Sequence, residues 1–348
     1  MNLKTIIGQL MAPLARRVTK SRPRVLFYHR FALDRHHAMS ARMFEDQIVY
    51  LKKHFNIVPL QTITEALARS LPMPQRTVAL TVDDGYADFL SIAYPIIERH
   101  RVPITVFVVS GFSIKNEWLW FDRIRFVCEN TNKDKVKVET PRRVFEFRLS
   151  NDLEKESAWD ELCSWCLRIP TNERLRLISA FESIADVEVP AIPPEKYRSL
   201  TLDEINSMDG SLVEIGAHTK THVILSSCSD EEQLQEIEGS KQDLERFLNR
   251  PIKHFAYPNG QAADFNWLSK NAVAQSGFLA SVTVRSALID RNTDRFVIPR
   301  LCASFDMNVF KNEVNGLAHL NEILTIWKKR IMSFVKIADF DKRKNDHN

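Results

Sequence analysis

Thr77-Val78-Ala79-Leu80-Thr81-Val82-Asp83-Asp84-Gly85-Tyr86 opens as an apolar, β-branched run and closes on two adjacent carboxylates and a glycine. Such a run reads as a buried strand, and a buried strand has no packing reason to carry two acids side by side at its C-terminal edge. A second apolar run, Leu212-Val213-Glu214-Ile215, leads into Gly216-Ala217-His218-Thr219-Lys220-Thr221-His222, whose imidazoles stand four residues apart. They share a face if the chain turns helical there. Strand-like segments recur at 25–29, 57–60, 78–83, 104–109, 213–217, 254–257, 278–284 and 295–301. Helical patterns at 43–54, 87–100 and 230–248 lie between them, the last behind the capping box Ser229-Asp230-Glu231-Glu232. This alternation belongs to parallel sheets and barrels, and both motifs fall at strand ends, where α/β barrels place their chemistry.

One carboxylate and two imidazoles form a facial ligand set for a divalent metal that leaves coordination positions open. Taken singly, Asp-Asp-Gly is often a plain turn and a His-x-x-x-His pair is often structural. Together, each at a strand end and each followed by a helical pattern, they point to a one-metal hydrolytic site.

On these residues the chain resembles the polysaccharide deacetylases, a family of metal-dependent carbohydrate esterases. Four stretches carry the resemblance: Thr81 to Tyr86, His218 to His222, Phe255-Ala256-Tyr257-Pro258-Asn259-Gly260, and Val297-Ile298-Pro299-Arg300. The opening Leu26-Phe27-Tyr28-His29-Arg30 is similar to the first strand of one branch of that family. The resemblance implies a distorted, incomplete (β/α) barrel with a mainly helical insertion. It implies Asp83 as catalytic base and Asp84, His218 and His222 as ligands to one divalent metal, zinc or in its place cobalt, nickel or iron. Tyr257, Pro258 and Asn259 would line the substrate groove, with a backbone N–H near Tyr257 stabilising the oxyanion and Thr219 orienting its neighbours. Many members carry an arginine where this chain has Ala256, so Arg300 is expected to grip Asp83 through two parallel hydrogen bonds. A late histidine often serves as general acid; His319, in Leu317-Ala318-His319-Leu320, fills that place here, while His347 sits in a charged tail. His29, at the end of the first strand, is assigned to substrate binding and is the alternative acid.

The alternation stops between residues 113 and 199, where helix-like runs at 119–129, 153–167 and 172–185 carry Trp118, Trp120, Trp159 and Trp165. Trp120 follows a strand end and is assigned to the sugar site, with core packing as the competing reading. The organisation expected is an N-terminal basic and apolar segment (1–22), two barrel parts (23–112 and 200–305) around the insertion (113–199), and a C-terminal helix with a charged tail (306–348). With 348 residues, 44% of them hydrophobic, the chain is long enough for one large α/β domain plus an insertion. A net charge of +4 spread over mixed Lys, Arg, Asp and Glu is no nucleic-acid footprint. Five cysteines argue for reduced thiols, and Cys163-Ser164-Trp165-Cys166 reads as a helical turn.

The N-terminal stretch is interrupted by Gln9 and Pro13 and followed by Arg16-Arg17, a poor signal peptide and too short to cross a bilayer. It suits a basic amphipathic segment lying on a membrane surface, or a tail packed on the domain. The expected location is cytoplasmic or peripheral to the inner membrane. The function expected is removal of N-acetyl or N-formyl groups from amino sugars of a polysaccharide, oligosaccharide or lipid-linked glycan. A catalytically inactive carbohydrate-binding protein is the alternative, and the sequence leaves the oligomeric state open.

Overall fold

The computed structural model describes residues 3–33, 38–73 and 75–321. Helix α1 (Leu3–Val18) precedes β1 (Arg24–Tyr28), the short strands β2 (Phe31–Ala32) and β3 (Met39–Ser40), α2 (Ala41–His54), β4 (Asn56–Ile57), α3 (Leu60–Ala68) and β5 (Thr77–Val82). The acid pair follows, and a π-helical turn at Phe89–Ala93 runs into α4 (Tyr94–His100), β6 (Ile104–Val108) and α5 (Ser110–Lys115). The insertion contributes α6 (Trp120–Asn130), the strands β7 (Lys135–Glu139) and β8 (Val144–Arg148), α7 (Asp152–Cys166) and α8 (Thr171–Ala185). The chain then forms α9 (Leu202–Ser207), β9 (Val213–Ala217), α10 (Asp230–Leu248), β10 (His254–Ala256), α11 (Trp267–Gln275), β11 (Ala280–Val282), β12 (Leu301–Cys302) and α12 (Met307–Asn315). Most of the C-terminal tail, His347 included, lies outside the described residues.

Eight strands make one sheet in the order β11-β10-β9-β6-β5-β1-β12, with β4 paired to β5. All pairings in it are parallel. Ile298 bridges Val282 of β11, and three residues later Leu301 pairs with Leu26 of β1. One short run therefore joins the two edges, and the sheet curls into a distorted, incomplete barrel. Pro299, which has no N–H to donate, interrupts this run and reduces the strand expected over 295–301 to a bridge and a two-residue strand. The segment expected at 57–60 likewise ends early, because Pro59 caps α3.

β1, β5 and β6 are buried at every position, the pattern of parallel strands covered on both faces. Alternate residues sort the faces. Leu26, Tyr28, Val78, Leu80, Ile104 and Val106 pack outward against Phe44 and Ile48 of α2, Ile97 of α4 and Ile237 of α10. Val25, Ala79, Phe107, Ala256 and Ile298 meet on the concave side.

The insertion has its own core, built from Trp120, Ile124 and Val127 of α6, Val136, Val138, Phe145 and Phe147 of the hairpin, and Leu162 and Phe181 of α7 and α8. The β7–β8 hairpin adds to the mainly helical insertion an element that the sequence reading did not place. Its strands alternate exposed and buried positions, but its turn carries no Asn-Gly signal and is held instead by Thr140, whose Oγ1 accepts from Arg143 N at 2.9 Å. Cys163 and Cys166 lie in α7 as free thiols, and burial pushes the Cys166 thiol up to about 12.

Gly216 marks the tightest approach in the sheet. A Cβ there would stand 2.5 Å from the Phe107 ring and 3.0 Å from His254 O. Gly216→Ala is therefore expected to lower stability by about 1–3 kcal/mol through overpacking, read as a shift in the chemical denaturation midpoint; a wild-type midpoint would refute the packing argument.

Candidate active site

The site sits where β5, β6 and β9 end. The ladder continues past the strands: Asp83 N donates to Tyr28 O at 3.0 Å and His218 N to Val108 O at 3.0 Å, which fixes both motifs at one end of the barrel. Beyond that point the backbone bends sharply. Asp84 (φ 72°), Thr219 (φ 62°) and His222 (φ 55°) all adopt left-handed conformations, rare for any side chain and unusual for a β-branched residue. Residues 218–222 are thus a loop rather than a helix, and the two imidazoles converge through bent backbone and not along a helix face.

Such strain, about 1–3 kcal/mol per residue, persists only because the loop is tied down. Glu236 of α10 accepts Lys220 N at 2.8 Å, Thr221 N at 3.0 Å and the Thr221 hydroxyl at 2.8 Å. Thr219 Oγ1 donates to His218 O and accepts His222 N. Gly111 lets the loop approach closely, since a Cβ there would meet Lys220 O at 2.6 Å. Glu236 was not legible as a site residue: nothing distinguishes it in sequence from the other acids of α10.

The donor atoms of Asp84, His218 and His222 all lie within 4.8 Å of one another, and all three residues are buried. Asp84 Oδ1 is 3.5 Å from His218 Nε2 and 3.3 Å from His222 Nε2, and it is buried without a hydrogen-bond partner. His218 Nδ1 lies 2.7 Å from Ala256 O, which as a donor contact leaves Nε2 facing the carboxylate. Burial works to raise the Asp84 pKa, yet the two imidazoles hold it well below the usual carboxylate range. Burial lowers the pKa of His222, while at His218 its effect is outweighed by Asp84 and Asp83 and the pKa rises. An orphaned carboxylate oxygen facing two ring nitrogens is the donor set that a divalent cation fits.

Beside it Asp83 is gripped by Arg300. Nη1 donates to Oδ1 at 2.7 Å and Nη2 to Oδ2 at 2.7 Å, and both residues are buried. Arg300 also donates to Thr283 O through Nε and to Thr81 Oγ1 through Nη1, both at 3.0 Å. Burial pushes the Asp83 pKa up, but the charge and hydrogen bonds of Arg300 prevail and lower it. His29 reaches the same carboxylate, with Nε2 3.8 Å from Oδ2 and its side chain 46% exposed at the mouth.

Three expectations are corrected. The Tyr257 side chain is buried in the outer core, stacked on Phe265 at 4.1 Å, with its hydroxyl donating to Phe296 O. Its N–H donates to Val282 O at 3.2 Å, so neither groove wall nor oxyanion donor comes from Tyr257. Trp120 is buried and spends its indole N–H on His222 O at 3.1 Å, with Phe121 edge-on to the His222 ring; its ring packs in the insertion core and braces the His222 backbone in place of forming an open sugar platform. His319 lies just beyond α12, which docks at the end of β1 away from Asp83, where Arg24 donates to Val314 O, so its place in the fold does not suit a general acid. Pro258 is buried, and Asn259 is exposed with its amide donating to Asp264.

The polysaccharide deacetylase family profile matches residues 70–138 and 190–280, spanning both motif loops. The chain carries a polysaccharide deacetylase domain. Members of this family are hydrolases that act on the amide bonds of acetylated sugars, and they depend on a metal. Three solved structures share the fold. The Streptococcus pyogenes deacetylase PplD in complex with acetate is 17% identical over 85% of this chain and 99% of its own, with a TM-score of 0.55. IcaB from Ammonifex degensii is 18% identical over 85% and 97%, with a TM-score of 0.57. A de-N-acetylase from Aggregatibacter actinomycetemcomitans is 19% identical over 84% and 99%, with a TM-score of 0.53. At these identities the likeness is one of fold. No curated protein matches the deacetylase chain by sequence.

Two outcomes follow from this deacetylase geometry. Trp120→Phe keeps an aromatic ring but removes the hydrogen bond to His222 O; the expected result is about a tenfold loss of metal affinity in competition titration against a chelating dye, with an unchanged fold. Arg300→Lys loses the two-pronged grip, so the Asp83 pKa rises towards its ordinary value and the acidic limb of the pH–rate profile moves to higher pH. A superimposable profile would show that Arg300 does not hold Asp83 ionised.

Proposed function

We propose that this protein is a metal-dependent de-N-acetylase of amino sugars in a glycan. The observation that carries the reading is the buried Asp83–Arg300 pair standing beside the three converging donors of Asp84, His218 and His222. A divalent cation held by those three residues, zinc or equally cobalt, nickel or iron(II) on donor type, would supply Lewis acidity at the acyl group. The chain's own groups have separate tasks. Asp83, kept ionised by Arg300, takes a proton from the attacking water, and the adjacent ligands orient the acyl group against it. As the C–N bond breaks, the amine nitrogen needs a proton. His29 Nε2 is half-exposed and 3.8 Å from the base, a position suited to delivering that proton. The sugar therefore enters from the open end above His29, and acetate and a free amine leave.

The test is acetate release from N-acetylated oligosaccharides by purified protein, with chelator and with zinc or cobalt added back. Release that requires metal and falls by about 10²–10⁴-fold in Asp83→Asn is expected; release indifferent to chelator or to that substitution would overturn the reading. His29→Gln separates the acid from the base. Amide turnover should drop by about 10²-fold, while an aryl acetate, whose leaving group needs no proton, should be hydrolysed almost as by the wild type. Equal losses on both substrates would remove His29 from the acid role.

A further inference from the structure

The end of the barrel opposite the catalytic mouth carries a surface that folding does not explain. The first 33 residues contain Lys4, Arg16, Arg17, Lys20, Arg22, Arg24 and Arg30 and no acid; the first carboxylate in the chain is Asp34. α1 buries Ala12 and Ala15, with Thr19 just beyond it, and exposes Leu10 (74%), Leu14 (46%) and Val18 (43%). These are i, i+4 and i+8 and form one outward stripe. A helix seated on a domain normally turns polar residues to water, so an apolar outer stripe marks a second contact.

Beside that stripe lies a cavity of about 420 Å³ lined by Pro13, Arg16, Arg17, Lys20, Gln75 and Arg76, four cations with no acid in the lining among the described residues. The basic character extends further. Burial and then the charges of Arg16, Lys53, Arg76 and Lys311 push the His54 imidazole pKa down. Acids on this side of the molecule include Asp290, 3.6 Å from Arg22, and Glu313, half-buried with its pKa raised by burial.

We infer that the outer face of α1 and its adjoining basic cavity dock the protein on an anionic phospholipid bilayer, with Leu10, Leu14 and Val18 in the interface and Arg16, Arg17, Lys20 and Arg76 on lipid phosphates. Charge complementarity selects the occupant: a free phosphate would leave the apolar stripe without a role, and a second copy would set the same uncompensated cations against each other. No described helix is long and apolar enough to cross a membrane, so α1 lies on the surface and does not span it. Lys20 O accepts Arg76 N at the start of β5, whose far end carries Asp83. The six-residue strand places the mouth about 20 Å away, facing from the bilayer. On the deacetylase reading above, that orientation presents the site to glycan extending away from the surface.

The test is co-sedimentation of the full chain with vesicles of phosphatidylcholine alone or mixed with phosphatidylglycerol. Binding is expected only to the mixed vesicles and should be released by salt. Arg17→Gln/Lys20→Gln should bind about 30-fold more weakly, at about 1 kcal/mol for each of two cations, and Leu10→Ser/Leu14→Ser should also lose binding. All these positions are remote from the catalytic loops, so acetate release from a soluble oligosaccharide should be unchanged. Absence of phosphatidylglycerol-dependent binding, or unaltered binding by Arg17→Gln/Lys20→Gln, would overturn the proposal. A dimer in analytical ultracentrifugation that Leu10→Ser/Leu14→Ser converts to monomer would overturn it too and assign the stripe to a second copy. Vesicle binding is read without turnover, so it stands or falls separately from deacetylation.

Discussion

Burying a guanidinium completely against a carboxylate costs several kcal/mol of desolvation per ion, which their attraction offsets only where the geometry is good and further hydrogen bonds take up the remaining donors. Arg300 satisfies four of its five N–H donors: its two terminal nitrogens take both oxygens of Asp83, one of them also takes Thr81 Oγ1, and Nε takes Thr283 O. These partners lie on β5 and just beyond β11, strands set well apart in the sheet order, and Arg300 itself belongs to the run that joins the sheet's two edges. The same ion pair therefore fastens the seam of the barrel and sets the protonation of the base. A change that loosens the seam disturbs the base, and a change at the base leaves an unpaired charge in the seam. This coupling explains why the arginine can come from the last strand region when the position in the third motif holds Ala256.

The clustered Asp84, His218 and His222 are supported differently. Their left-handed backbones at Asp84, Thr219 and His222 are maintained from outside the motifs, by Glu236 on α10 and by the insertion. The insertion brings a hydrophobic core of its own, so it presents Trp120 to His222 O from a rigid body. It is anchored a second time where Tyr86 donates to Asp122 at 2.5 Å, with the Arg30 guanidinium 3.8 Å over the Tyr86 ring. Burial raises the Asp122 pKa to about 7, so this anchor sits in a dry joint between the two bodies. The insertion thus acts on the site through the carbonyl of a ligand residue and through the residue two beyond Asp84.

What could be read from the sequence was chemistry that depends on residue type. Two acids at the end of an apolar run, two histidines after another, and a stray arginine on a late strand announce themselves because nothing in packing requires them there. The parallel alternation was legible for the same reason: β1, β5 and β6 are apolar at nearly every position. What could not be read depended on where a side chain turns. Tyr257 and Trp120 stand next to the site in sequence or in space, but their rings serve the core, and an aromatic residue looks the same whether it stacks on sugar or on Phe265. His319 was chosen as a late histidine near a leucine, while the direction of α12, running back to the start of β1, was invisible. The β7–β8 hairpin escaped because Thr140, and no glycine, organises its turn.

A parallel barrel has two chemically distinct ends. Strand C-termini open into the loops that carry reactive groups, while the N-terminal end is free of that duty and its residues answer to stability or attachment. Here the division is sharp in charge as well as position. Asp83, Asp84, Asp88 and Asp122 gather around the mouth, three of them held by Arg300, Arg30 or Tyr86. Arg16, Arg17, Lys20 and Arg76 gather at the opposite end and are far less compensated. Had those cations stood at the mouth, they would have competed with the cation site for Asp84 and lowered its affinity for metal by direct repulsion. Separating them by the length of β5 removes that conflict, because at physiological ionic strength exposed charges about 20 Å apart are screened from each other over more than two Debye lengths. The same strand that delivers Asp83 is therefore what allows one chain to carry a basic face and a carboxylate-rich mouth with its buried Asp84–His218–His222 cluster together.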